Sequence, residues 1–227
     1  MKWRSLDEST PGSDARTLED ILAQRKKLIA QYVPAETRAV HARVVSELKA
    51  RRLALNSLPR GVQAPTFVLP DHSGHSVACS DLLARGRLVL CFFRGRWDPF
   101  CCAQLEALNR ILPQIERSAA SLAAISPQTG RQSFFMAEQH RLRFPLLIDA
   151  GNHVARQFGL VYRVPAEQQT IYRRAFINLP FVNGDESWEL PIPATYIFER
   201  DATVLYAWAN EEYTERVEPA EILEALR

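Results

Sequence analysis

Apolar residues along the chain change their period near residue 60. Before that point they recur at helical spacing: Leu18, Ile21, Leu22, Leu28, Ile29 and Tyr32 form one stripe. Thr17, followed three residues on by Asp20, reads as a capping box at the start of that helix. Pro34 closes it, and Val40, Val44, Val45, Leu48 and Leu55 predict a second helix that ends before the LPRG turn at 58–61. Both helices carry a polar face, so their stripes must cover something, either the following domain or a partner subunit.

From about residue 62, TFVLP, DHSGHS and VAC read as two short strands joined by a turn, and SDLLARG as a short helix ended by glycine. RLVLCFF is an apolar run of strand length without polar alternation, which predicts a central strand covered on both faces. A helix starts at Asp98. Strand and helix then alternate: SLAAIS, SFFMAEQHRL, FPLLID, NHVARQFGL, and a further helix over PAEQQTIYRRAF. TYIFERDATVLYAWA predicts a hairpin turning near Arg200 and Asp201, and EPAEILEAL a terminal helix. This alternation implies an α/β fold with a mostly parallel sheet flanked by helices. It divides the chain into a helical extension, residues 1–60, and an α/β domain, residues 61–227.

Composition narrows the function. The 227 residues are 47% hydrophobic with a formal net charge of +2, a balance that does not call for nucleic acid. The opening MKWRSLDESTPGSDAR lacks the apolar core of a secretory signal, and no window reaches the length of a membrane span. The expectation is a cytoplasmic protein without a membrane partner. Four cysteines, Cys79, Cys91, Cys101 and Cys102, are too few and too unevenly spaced for a disulfide framework, and none pairs with histidines at zinc-ligand spacing. No metal and no bound cofactor are expected.

The chemistry concentrates in RGRWDPFCC at 94–102. Asp is among the best helix caps and Pro is favoured at the first helical position, so Cys101 becomes the third residue of the helix. Unpaired amides and the helix dipole stabilise a thiolate there, which predicts a lowered pKa. Cys101, Leu105, Leu108, Leu112 and Ile115 share a face, whereas Cys102 aligns with Glu106 and Asn109 and reads as a bystander. The helix follows a buried strand, so its first turn lies at the carboxyl end of the sheet, where α/β proteins commonly bind ligands. Arg94, Trp97 and Phe100 would surround the sulfur. Asp98 opposes the thiolate unless its carboxylate is spent on capping, and the expectation is that capping largely neutralises it.

RGRWDPFCCAQLEAL resembles the active-site segment of the alkyl hydroperoxide reductase and thiol-specific antioxidant family, in its peroxiredoxin-like branch with an RGxWCPYC pattern. The likeness extends through APTFVLPD at 64–71, AISPQT at 124–129, FPLLIDAGNHVARQFGL at 144–160 and LPIPATYIFERD at 190–201. It implies a thioredoxin-like fold and a hydroperoxide substrate, with Cys101 matching the peroxidatic cysteine. The resemblance implies a cis proline at Pro193 facing the cysteine helix; the alternative reading is an ordinary strand-edge proline. The departures are specific. Where the family has a proline seven residues before the cysteine and a threonine three before it, this chain has Arg94 and Asp98. Where the family has an arginine two residues ahead of a late-strand Thr or Ser, here Thr195, the chain has Pro193. Asp98 also replaces the first cysteine of the branch's CPYC pair.

These readings assign Cys101 as nucleophile, Arg94 as electrostatic stabiliser, and Asp98 as cap and candidate proton acceptor. Trp97, Phe100, Pro193 and Thr195 are the expected substrate-pocket residues. Without an evident resolving cysteine, an external thiol such as thioredoxin, glutaredoxin or glutathione would complete a one-cysteine cycle. A homodimer through the leading helices is expected. The competing reading is a redox sensor or degenerate binding module. A disulfide reductase is disfavoured because Asp98 stands where its attacking cysteine would be. Cys79 and Cys91 read as buried small hydrophobes, His72 and His75 as turn residues, and His140 and His153 as surface groups.

Overall fold

A computed structural model describes residues 16–227; the opening stretch falls almost wholly outside them. Two helices come first, α1 (Leu18–Tyr32) and α2 (Ala35–Ala50). The Thr17–Asp20 capping box forms as expected, each side chain bonding the other residue's amide. A small antiparallel pair follows, β1 (Val68–Pro70) and β2 (Ser76–Ala78), then α3 (Cys79–Ala84).

The main sheet is built from β3 (Arg87–Phe92), β4 (Ala120–Ser126), β5 (Leu146–Ile148), β8 (Ala194–Phe198) and β9 (Val204–Ala209), in the order β5-β4-β3-β8-β9. Leu88 to Phe92 are fully buried, which is why that run shows no polar alternation. The crossover between β3 and β4 is α4 (Pro99–Arg117), the helix that carries the cysteines. The sheet is mixed rather than mostly parallel. β3, β4 and β5 run parallel, but β8 is antiparallel to β3 and β9 to β8. A five-residue connection at 199–203 returns the chain as a hairpin, and a hairpin makes only antiparallel pairs.

The remaining helices are α5 (Gly130–His140), α6 (His153–Gln157), α7 (Ala166–Arg174), α8 (Leu179–Asn183) and α9 (Pro219–Ala225). A second small pair joins β6 (Val161–Arg163) to β7 (Glu189–Pro191). Periodicity did not reveal β6, β7 or α8, since three to five residues are too few to establish a period. No helix of the described residues is long and apolar enough to cross a membrane.

The extension lies on the domain itself. Leu18, Ile21 and Leu22 of α1 pack with Phe100, Ala103 and Ala107 of α4, while Val44 and Leu48 of α2 join the core cluster that contains Tyr172 of α7. Much of the apolar surface that suggested a homodimer is therefore covered by the domain. Tyr32 and Leu55 leave the expected stripes and are 58% and 72% exposed, Leu55 because the chain turns once α2 ends at Ala50. His140 is not a surface group: it is 3% exposed, with its Nδ1 2.6 Å from Glu106 Oε1. Pro193 is not cis, because no described peptide bond is.

Candidate active site

Asp98 caps α4 by accepting the Phe100 amide at Oδ1, 2.9 Å away, and Pro99 occupies the first helical position. Arg25 of α1 donates to the Pro99 carbonyl, tying the extension to the start of the cysteine helix. The preceding loop is held open by Gly95 at φ +145°, where a Cβ would come within 2.6 Å of Trp97 Nε1. Gln128 Oε1 accepts the Arg96 amide at 2.9 Å and fixes the other side of the turn.

The Cys101 sulfur is wholly buried, yet its neighbours are polar. It accepts the Arg94 backbone N–H at 3.4 Å and a guanidinium N–H from Arg216 at 3.1 Å, and its thiol donates to Asp98 Oδ2 at 3.3 Å. Burial pushes this thiol up to about 11, and the Asp98 charge adds to the rise; Arg216 and Arg94 oppose it. This corrects the expected lowered pKa. Capping occupies only one carboxylate oxygen, so the other still faces the sulfur. The amide that reaches the sulfur belongs to the loop after β3, not to the helix.

Arg94 lies in a cage. Its guanidinium carbon is 4.7 Å from the Trp97 ring centroid and 4.3 Å from that of Tyr213. Nη1 is 3.2 Å from Asp98 Oδ2, and Nη2 donates to the Tyr172 hydroxyl. Its side chain thus meets the carboxylate, while only its main chain meets the sulfur. Arg216 does the direct work. It is 7% exposed and fixed through Nε to Gln104 Oε1 at 2.7 Å, with Nη1 donating to the carbonyls of Tyr213 and Glu215. Gln104 Nε2 in turn donates to Thr195 Oγ1 at 3.3 Å. Thr195 therefore supports the site from beneath, two side chains from the sulfur.

An open cavity of about 500 Å³ lies in front of Arg94, Trp97, Asp98 and Phe100. Pro193 and Thr195 are not among its lining residues. Cys102 Sγ donates to the Arg96 carbonyl at 3.3 Å, and all four cysteines are free and buried. Cys79 and Cys91 sit in the core clusters, as expected. His72 Nδ1 accepts the Leu146 amide in its turn. Trp188 anchors its loop in the core with Arg173 over its ring.

Arg216, Gln104, Tyr172 and Tyr213 were not found in the sequence. EEYTERVEP has no period and no motif, and only folding places Arg216 beside a residue 115 positions earlier. A vacant family position at Pro193 indicated that a cation was missing, but not where its replacement would come from.

A reduced cysteine in the first turn of the helix after a central strand, met by a guanidinium and a carboxylate, defines a thiol-based redox protein on an α/β scaffold. The chain belongs to the AhpC/TSA family, whose pattern matches residues 60–207. It is 25% identical over 193 residues to the chloroplastic peroxiredoxin Q of Oryza sativa subsp. japonica, covering 85% of this chain and 77% of the relative. It is 29% identical over 106 residues to peroxiredoxin Bcp of Escherichia coli strain K12, covering 47% of this chain and 67% of the relative. Among solved structures, peroxidoxin BcpB from Mycobacterium tuberculosis aligns with a TM-score of 0.59 at 24% identity, over 75% of this chain and 97% of that one. That likeness shows the thioredoxin-like fold.

Proposed function

We propose that the chain is a thiol peroxidase in which Cys101 attacks hydroperoxides. The observation that carries this is the sulfur's position between the Arg94 amide and the Arg216 guanidinium, both donors able to bind a thiolate and the oxygens of a bound peroxide. Arg94, Arg216 and Asp98 sum to one unmatched positive charge, which a thiolate would neutralise. In the resting site the thiol donates a hydrogen bond to Asp98 Oδ2 at 3.3 Å. Opening of the Arg94–Tyr172 contact would admit the peroxide, and Asp98 would take the proton as the sulfur attacks.

The thiolate lone pair forms a bond to one peroxide oxygen while the O–O bond breaks. The departing alkoxide takes the proton from Asp98 and leaves as the alcohol. The sulfur is oxidised by two electrons to a sulfenic acid. Two external thiols then return it to the thiol, releasing water and one disulfide. Thioredoxin, glutaredoxin or glutathione would serve, since the burial of Cys79, Cys91 and Cys102 supports a one-cysteine cycle. Free cysteines throughout also favour a reducing compartment such as the cytoplasm.

The test is mass spectrometry after brief peroxide exposure of wild type, Cys101→Ser and Cys102→Ser, run beside peroxide consumption with each reductant. Oxidation and turnover lost only in Cys101→Ser are expected; turnover surviving in that variant rejects the assignment. A second reading, a redox sensor or non-catalytic binding module, draws on the complete burial of the sulfur and its raised pKa. A sensor would be oxidised once and would not turn over.

A further inference from the structure

A second open cavity, of about 560 Å³, shares no residue with the cleft before Arg94. It lies where the end of α2 and the loop after it meet the end of β9, and of its lining residues only Arg60 and Ala207 fall within the matched segment 60–207. It is therefore built almost wholly from what this chain adds to the family pattern. Three exposed cations line it, Lys49, Arg52 and Arg60, and none is ion-paired with a described residue. At the end of α2 the helix dipole alone would favour Lys49 and Arg52. That reason does not extend to Arg60, which comes from a separate loop held on β9 by the Gly61 amide donating to the Val204 carbonyl at 2.8 Å. Two further groups give the cavity more than charge. Trp208, half-buried against the core, supplies an indole to the wall. Glu211 is 8% exposed, and its Oε1 accepts the Ala54 amide at 2.7 Å. Its second oxygen takes no hydrogen bond from a described residue, so a nine-tenths-buried carboxylate keeps a vacant acceptor in the lining.

These groups together select one ligand chemistry. A simple anion would use the cations but be repelled by Glu211 and leave the indole idle; an apolar ligand would leave the cations idle. A flat base with N–H donors, joined to a polyanionic tail, uses all of them: arginines suit phosphate oxygens, aromatic rings stack on bases, and a carboxylate accepts from an amino group. We propose that this cavity binds an adenine nucleotide, with its phosphates at Lys49, Arg52 and Arg60, its base on Trp208 and the base's amino group donating to Glu211. The volume lies within the roughly 300–1,000 Å³ common for small-molecule sites. Three positive charges against one negative leave two unmatched, which suits a diphosphate. The inference does not depend on the peroxidase reading, since Cys101 and its partners take no part in it.

The experiment is isothermal titration of the full, reduced chain with ADP, adenosine and inorganic pyrophosphate, in wild type, in the double variant Lys49→Gln/Arg60→Gln and in Glu211→Gln. Residues 49 and 60 are exposed, and Gln at 211 keeps an oxygen for the Ala54 amide, so the fold should survive each change. ADP should bind wild type saturably, at least tenfold tighter than adenosine or pyrophosphate, and more weakly as salt is raised. The double variant should weaken ADP tenfold or more. Glu211→Gln should lower the ratio of ADP to pyrophosphate affinity about tenfold, because the base loses its acceptor while the phosphates lose a repelling charge. No saturable binding of ADP to wild type overturns the proposal. So does pyrophosphate binding as tightly as ADP, which would make the cavity a basic patch without a base subsite. An ADP affinity unchanged in the double variant, or an affinity ratio unchanged in Glu211→Gln, overturns it as well.

Discussion

Asp98 Oδ1 accepts the amide of Phe100 while Oδ2 stands 3.3 Å from the Cys101 sulfur, so replacing the carboxylate by an amide should separate two effects. Asp98→Asn keeps a capping oxygen but removes the charge that helps raise the thiol pKa. The thiol should then react faster with iodoacetamide at neutral pH. Peroxide turnover should nevertheless fall, because the departing alkoxide loses its proton donor. Alkylation and turnover rising together would contradict that role. Arg216→Met should act in the opposite sense on the thiol, since it removes the guanidinium 3.1 Å from the sulfur. Alkylation should slow and kcat/KM should drop by about 10²–10³, the usual effect of deleting one oxyanion donor. Arg216→Lys should restore little, because one ammonium cannot hold Gln104 and the sulfur in the same fork.

Helix α1 adds no sulfur ligand, but it clamps the start of α4 through Leu22 and the Arg25 bond to the Pro99 carbonyl. Leu22 is 5% exposed where α1 packs on Phe100, so Leu22→Ala should cost about 2–4 kcal/mol in chemical denaturation and loosen the cysteine turn. In the preceding loop, Gly95→Ala would force a Cβ against Trp97 at a positive φ. Loss of stability by about 1–3 kcal/mol, with an altered tryptophan emission, is the expected outcome.

Buried thiols couple the whole molecule to pH. Burial raises Cys79 and Cys101 to about 11 and Cys91 and Cys102 to about 12. Between the ordinary cysteine range and those values, the folded chain keeps protons that the unfolded chain releases. Stability is thus full below about pH 8.5 and declines as pH rises through 11–12. His41 works at the other end. Its folded pKa of about 4 lies below its usual 6.5, so stability should also decline as pH falls from 6.5 towards 4. Urea midpoints measured under reducing conditions across this range should trace a plateau with two shoulders, the alkaline one shrinking in Cys91→Ala relative to that variant's own plateau.

Local patterns were enough to place the cysteine helix. An Asp-Pro start, an apolar stripe beginning at Cys101 and a preceding strand without polar alternation are short-range signals, and each was written in consecutive residues. The resemblance carried by RGRWDPFCC and its companion segments supplied the fold in the same way. Tertiary structure decided what short-range signals do not encode. The antiparallel half of the sheet follows from which strands pair, and the covering of α1 and α2 by the domain follows from how distant faces meet. The sulfur's surroundings depend on Arg216, brought in from a loop far along the chain. A thiol's acidity depends on what lies within a few ångströms in every direction, and sequence order specifies neighbours in only one.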